Sequence, residues 1–310
     1  MTEVGHHIES VSTGSAEVTV VVSEETPPRR SRNEIVYFAL RNTKLVIGLT
    51  VVLAFLGLAI VGPWLTDATP FEFGYPTGQP PSSEYWLGTT APGQDVFAQF
   101  VYGLRSSFVV GAVAGCVAAV IGMAVGFTAG YRGGFVDDVL SMITNVVLVI
   151  PTLAVLIIVS AYLSLGSLLG EAVLIGLTSW PWAARAIRAQ TFSLTSREFV
   201  SLARLTGRRG WKIITTEIAP NMSSYLFLTF ILLFGSSILI AATLDFLGLG
   251  PSNVMSLGLM LNLAVSNAAL QLGMWWWFIP PGIAITAVVG GLYVMNVGLD
   301  EIFNPKLRKT

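Results

Sequence analysis

Residues 195–220 read TSREFVSLARLTGRRGWKIITTEIAP, a polar, basic stretch between two long apolar runs, and their reading decides the fold. The stretch is too polar to cross a bilayer, so it joins two membrane-crossing segments on one side. Thr195 and Glu198 stand three residues apart, the spacing of a capping box, which predicts a helix start. Phe199, Leu202, Ala203 and Thr206 then recur at three- and four-residue intervals as a narrow apolar stripe. Gly207 supplies a stop, because glycine takes the left-handed angles of a helix C-terminus without strain. The expected product is a short amphipathic helix, a shape that lies on lipid headgroups or docks into a groove on another protein.

The flanking runs set the class. Of 310 residues, 53% are hydrophobic and 11% charged, whereas soluble domains carry charge on about a quarter of their positions. A membrane-crossing helix takes about 20 mainly apolar residues. Six stretches meet that need, near 45–65, 106–130, 139–163, 167–184, 222–247 and 277–299. The fourth is the weakest, since Glu171 lies inside it and Trp180-Pro181-Trp182 interrupts its end. The expected fold is an all-α integral membrane protein with six transmembrane helices. Its parts are a disordered cytoplasmic tail over 1–33, the first transmembrane helix and its lead-in over 34–66, and an extracytoplasmic loop over 67–105. A five-helix core over 106–310 carries a cytoplasmic loop at about 186–220.

Charge gives the orientation. With six crossings, 16 of the 17 Lys and Arg residues fall on one side, and Arg105 alone stands at the edge of the second crossing. The opposite loops, 66–104, 164–166 and 248–276, contain neither residue, so the positive-inside rule puts both termini in the cytoplasm. Trp64, Trp86 and Trp275-Trp276-Trp277 fall near the other ends of the crossings, where indole rings favour the membrane interface. Gly111, Gly115, Gly122, Gly126 and Gly130 share one helix face with overlapping G-x-x-x-G spacing, which predicts close packing on a helix of this chain or of another subunit.

Several chemistries are excluded. Cys116 is the only cysteine, so no internal disulfide forms. His6 and His7 sit in the tail, and an intramembrane enzyme, which needs clustered His, Cys or paired carboxylates in its crossings, would find one Cys and two tail His in this chain. None of Lys44, Lys212, Lys306 and Lys309 follows a glycine, and a phosphate-binding loop needs that pair. An ion-coupled secondary transporter, the distant alternative, carries ionisable residues deep within its crossings. The middles of the first, second, third and fifth lack them, and Asp245 is near an outer end. Asp95 and Arg105 are placed to cap or to pair at the entry to the second crossing.

The 195–220 segment resembles the EAA loop of permeases from prokaryotic ATP-binding-cassette importers, where a short helix precedes a glycine and a proline follows thirteen residues later. Gly207 and Pro220 keep that spacing, and Ala203 falls on the second alanine. Ser201, Leu202 and Ala219 depart at the acidic, first alanine and leucine positions, while Glu198-Phe199 fits an acidic-aromatic variant. Further islands resemble the dipeptide and oligopeptide permeases in the same order. They are Trp86 to Asp95, Tyr102-Gly-Leu-Arg105-Ser, Ala129 to Asp137 followed by Ile150-Pro151, Leu244 to Gly250, and Asn304-Pro305-Lys306-Leu307. Gly88, Asp95, Gly103, Arg105, Pro151 and Pro220 are the structural motif positions.

The resemblance implies a type I importer permease fold in a prokaryotic cell membrane, with no catalytic activity of its own. Glu198, Phe199, Ala203, Arg204, Gly207 and Arg208 would form the surface that couples to the ATPases. The implied partners are a second homologous permease, two ATP-binding-cassette subunits or domains, an extracytoplasmic binding protein and lipid, with no nucleic acid. ATP and Mg would be bound by the ATPases, and this chain would hold neither cofactor nor metal. The expected cargo is peptides, with oligosaccharides or metal chelates as the alternatives.

Overall fold

In the computed structural model, residues 41–163 and 166–303 are described. The tail over 1–33, His6, His7 and the Asn304-to-Leu307 island lie outside the described residues. Asn42 opens α1 (Thr43–Val61) by accepting the Leu45 N–H at 3.0 Å. A 3₁₀ turn over Gly62–Trp64, with Pro63 near its start, closes it. Asp95 opens α2 (Val96–Arg132), accepting the Ala98 N–H at 2.8 Å. Of the two roles open to Asp95 it takes the cap. Arg105 is exposed and is in no ion pair among the described residues.

α2 has 37 residues, about 55 Å at 1.5 Å per residue, well beyond the ~30 Å of bilayer hydrocarbon. The second helix therefore starts at Val96 and not at 106. Gln99, Arg105, Ser106 and Ser107 make its first turns too polar to read as part of an apolar run.

The third apolar stretch is two helices, α3 (Gly134–Val149) and α4 (Thr152–Leu163), bent by 76°. Pro151 causes the break. A proline pushes the residue before it out of the helical region, and Ile150 sits at φ −73°, ψ 125°. The fourth stretch runs without interruption from Leu168 to Thr195 as α5, passing through Pro181. Thr195 is the last residue of α5 and its hydroxyl donates to the Phe192 carbonyl at 2.7 Å. The expected capping box is therefore not formed.

The remaining helices are α6 (Glu198–Leu205), α7 (Gly210–Ile213), α8 (Ser223–Phe246), α9 (Leu257–Ser266) and α10 (Trp275–Phe303). A π-helical turn over Ile214–Ile218 and a short turn over Ala219–Asn221, which contains Pro220, join α7 to α8. Among the described residues four helices are long and apolar enough to cross a membrane, α1 with its following turn, α2, α8 and α10. The α3–α4 pair brings the number to five if it forms one crossing.

Glycine sets how closely the helices approach. α5 lies parallel to α2, seated on Gly122, Gly126 and Gly130. A Cβ on Gly126 would stand 2.7 Å from the Ala184 carbonyl oxygen and 2.9 Å from Ile187 Cβ. α8 runs antiparallel on Gly111 and Gly115, where a Cβ on Gly115 would stand 3.2 Å from Phe234 Cα. The glycine stripe thus packs within this chain, its two halves on different helices. α1 and α10 meet antiparallel through Gly48 and Gly298, with Lys44 and Asn42 both bonded to Glu301.

The two ends of the bundle differ in charge. One end holds Arg132, Arg188 and the basic segment 197–212; the other holds the segment 65–95 with Asp67, Glu72, Glu84 and Asp95. At this acidic end Trp276 and Trp277 are packing residues and not an interfacial belt. Trp277 is fully buried and donates to Gln99 Oε1 at 3.0 Å; Trp276 donates to the Thr89 carbonyl at 3.1 Å. Gly88, at φ 72°, lies against the Trp276 ring. Trp275, half exposed, and Trp64, 81% exposed, keep a position suited to a belt. α9 fills the space beneath, with Leu257, Met260 and Ala264 buried and Gly103 admitting the Ser256 backbone. Two buried carboxylates stand at this end, Glu171 in the first turn of α5 and Asp245, which accepts the Ser256 hydroxyl at 2.5 Å.

Candidate coupling surface at the basic end

α6 is short and sharply two-sided. Val200 and Ala203 are buried against Ile187, Ile213 and Ile218, with Phe199 partly buried beside them. Leu202 and Leu205 point away, 63% and 84% exposed, and Trp211 at the start of α7 is also exposed. The expected stripe is therefore redrawn. Phe199, Val200 and Ala203 face the body of the protein, and Leu202 belongs with Leu205 on the outer face. Helical spacing puts residues 198, 202 and 205 together on one side and 199, 200 and 203 on the other.

Gly207 ends the helix as its position suggested. At φ 74° it occupies the left-handed region. The Gly207 N–H donates to the Arg204 carbonyl at 3.0 Å and the Arg208 N–H to the Ala203 carbonyl at 3.4 Å, the paired bonds of a Schellman motif. The end of α6 is thus fixed by backbone hydrogen bonds while Leu202 and Leu205 stay exposed. Arg208 is ion-paired with Glu217 at 2.6 Å, and the Arg204 guanidinium lies 5.1 Å from the centre of the Tyr131 ring. Of the six expected coupling residues, Glu198, Arg204, Gly207 and Arg208 are exposed, Phe199 is half-buried, and Ala203 is only 7% exposed.

The sequence reading did not single out Val200, Leu205, Trp211 or Tyr131 for this surface. Leu205 was legible, because helical spacing pairs it with Leu202 and Glu198. Tyr131 was not, because its place depends on where α2 ends. Close by, Arg188 on α5 pairs with Asp137 on α3, one guanidinium nitrogen 2.5 Å from Oδ2, and Ser141 donates to the same carboxylate at 3.1 Å. This joins the start of α3 to the part of α5 that leads into α6.

A cavity of about 400 Å³ opens between α3, α4, α5, α8 and α10. Thr178, Ser179, Trp182, Ser236 and Tyr293 give it a polar but uncharged lining among apolar residues. On α3, Asn145 is exposed among exposed Met142, Ile143, Val146 and Val149. In hydrocarbon an amide side chain needs a protein or water partner.

Residues 122–309 match the family described as binding-protein-dependent transport system inner membrane component, and the chain belongs to that family. It is a multi-pass protein of the cytoplasmic membrane. Among curated relatives, the dipeptide transport system permease protein DppC of Alkalihalophilus pseudofirmus is 34% identical over 86% of this chain and 88% of its own. DppC of Bacillus subtilis is 29% identical over 91% of this chain and 88% of its own. A putative peptide transport system permease protein of Brucella abortus is 31% identical over 87% of this chain and 90% of its own.

Proposed function

We propose that this chain is one membrane subunit of an ATP-driven importer of peptides. The observation that carries the reading is the outward face of Leu202, Leu205 and Trp211, held in place by the Schellman turn at Gly207 on the most basic segment of the chain. Leucines exposed on one face of a short helix suit docking into an apolar groove on another protein. In a family of binding-protein-dependent transporters the partner that fits is an ATP-hydrolysing subunit. That partner would bind ATP and Mg, since this sequence has no Gly-Lys pair of a phosphate-binding loop.

The topology that agrees with this has six crossings, α1, α2, the bent α3–α4 pair, α5, α8 and α10. The basic end and both termini are then cytoplasmic, as the positive-inside rule requires. α5 is less apolar than the other crossings but lies against α2 on three glycines, so much of its surface is shielded from lipid. A second homologous permease would meet the face that carries Asn145 and the cavity, completing a pathway whose uncharged lining suits cargo of varied side-chain charge. The acidic end would receive an extracytoplasmic binding protein. The peptide names of the relatives favour peptides over oligosaccharides or metal chelates as cargo.

Proteoliposomes holding this permease, its second permease and its ATPases, supplied with the binding protein, are expected to take up di- or oligopeptide in an ATP-dependent manner. Uptake of an oligosaccharide or metal chelate with none of peptide would contradict the cargo assignment. Gly207→Val tests the helix stop separately. Nothing lies within 4 Å of a Cβ there, so the cost is the left-handed backbone alone, about 1–2 kcal/mol. Peptide uptake per ATP hydrolysed should fall in Gly207→Val and persist in Gly207→Asn, because asparagine tolerates these angles. Equal uptake in both would remove Gly207 from the coupling role.

A further inference from the structure

We infer that Tyr131 is a positioning residue that fastens the coupling segment to α2, so that segment and helix move together. The inference rests on the coupling role proposed for that segment. By chain connectivity the segment is attached only to α5 and, through the π-helical turn, to α8. Tyr131, second to last in α2, supplies a third attachment. One face of its ring carries the Arg204 guanidinium at 5.1 Å, a cation–π contact. Its Cε1 lies against Gly210, where an added Cβ would stand 2.8 Å away. The ring also packs on the cluster that contains Val200, Ala203 and Ile213. It is therefore held from both sides of the Gly207 turn, by α6 through Arg204 and by α7 through Gly210.

This attachment matters because of the helix it belongs to. α2 is unbroken from Arg132 back to Val96, whose first turns lie in the packing at the acidic end. There Gln99 accepts from Trp277 and donates to Gln94 at 2.9 Å. A displacement at Tyr131 therefore reaches the acidic end through one rigid element, with no hinge between. α3–α4 is bent at Pro151 and cannot serve in this way. Gly133 and Gly134, both left-handed at φ 64° and 51°, end α2 just past Tyr131 and release α3 from its axis.

The test uses the full complex in proteoliposomes, with ATP hydrolysis and uptake of trialanine measured together. Tyr131→Phe keeps the ring and should match wild type. Tyr131→Leu keeps apolar volume but loses the face against Arg204 and Gly210. Its uptake per ATP should fall about fivefold or more, in the range of typical coupling energies, while the ATPases still copurify. Arg204→Ala should lower the same ratio, and the double variant should be no worse than Tyr131→Leu alone, since both remove one contact. Wild-type uptake per ATP in Tyr131→Leu would overturn the inference. So would loss of the ATPases from that variant, which would make Tyr131 a folding element, or full additivity with Arg204→Ala. Failure of the coupling role itself would appear in the wild-type complex, as absence of bound ATPase or of ATP-dependent uptake, before any variant is compared.

Discussion

Leu205→Asp is expected to abolish uptake by releasing the ATPase partner, with the permease still inserted and folded. The side chain is 84% exposed and belongs to no buried cluster, and substitutions at such sites usually change stability by less than about 0.5 kcal/mol. A helix-end dipole adds at most about 1 kcal/mol against an acidic residue at the last position. In the complex the same position would be desolvated at the centre of an apolar contact, where a carboxylate has no partner. Losing a central apolar anchor costs about 2–4 kcal/mol, and the buried charge adds to it. Association should weaken by more than about a hundredfold. Leu205→Met keeps the apolar volume and should retain uptake. Copurification of the ATPases with Leu205→Asp at wild-type yield would show that the outer face of α6 is not the contact.

Gly126→Val should be the most damaging substitution within the bundle. The added side chain meets the Ala184 carbonyl oxygen and the branched Ile187 side chain, both well inside contact distance. Neither can turn away: one is helix backbone, and the other is 1% exposed in the core. Overpacking at such a site costs about 3 kcal/mol, and membrane helices that pack through small residues have little hydrophobic effect to offset it. The thermal midpoint in detergent should drop sharply and expression should fall with it. Gly290→Ala is the control, because a Cβ there meets nothing within 4 Å and alanine favours the helix by about 1 kcal/mol. Similar midpoints for the two variants would contradict close packing of α5 on α2.

What could be read in the sequence follows from which signals are local. α1, α8 and α10 were visible because an uninterrupted apolar run of that length has few other uses. The Gly207 stop was visible because left-handed backbone favours one residue type. Three features were not. α9 is ten residues long, too short to register as a crossing, and its buried face exists only because α8, α10 and the first turns of α2 surround it. Trp276 and Trp277 carry the composition of an interfacial belt, and only the acidic-end fold supplies the acceptors at Thr89 and Gln99 that bury them. The outward face of α6 was misread because Leu202 lies next to Ala203 in sequence. A helix rotates successive residues by about 100°, and the buried pair proved to be Val200 and Ala203. Spacing gave the helix and its end, but not which side faced the protein.

Native mass spectrometry of the complex released in detergent tests the central claim most directly. The expected particle holds this chain, a second homologous permease and two ATP-binding-cassette subunits or domains, and Leu205→Asp removes the ATPases from it and leaves the permease pair. A chain that transports as a partner-free monomer, or that keeps its ATPases when Leu205 is replaced by aspartate, would contradict it.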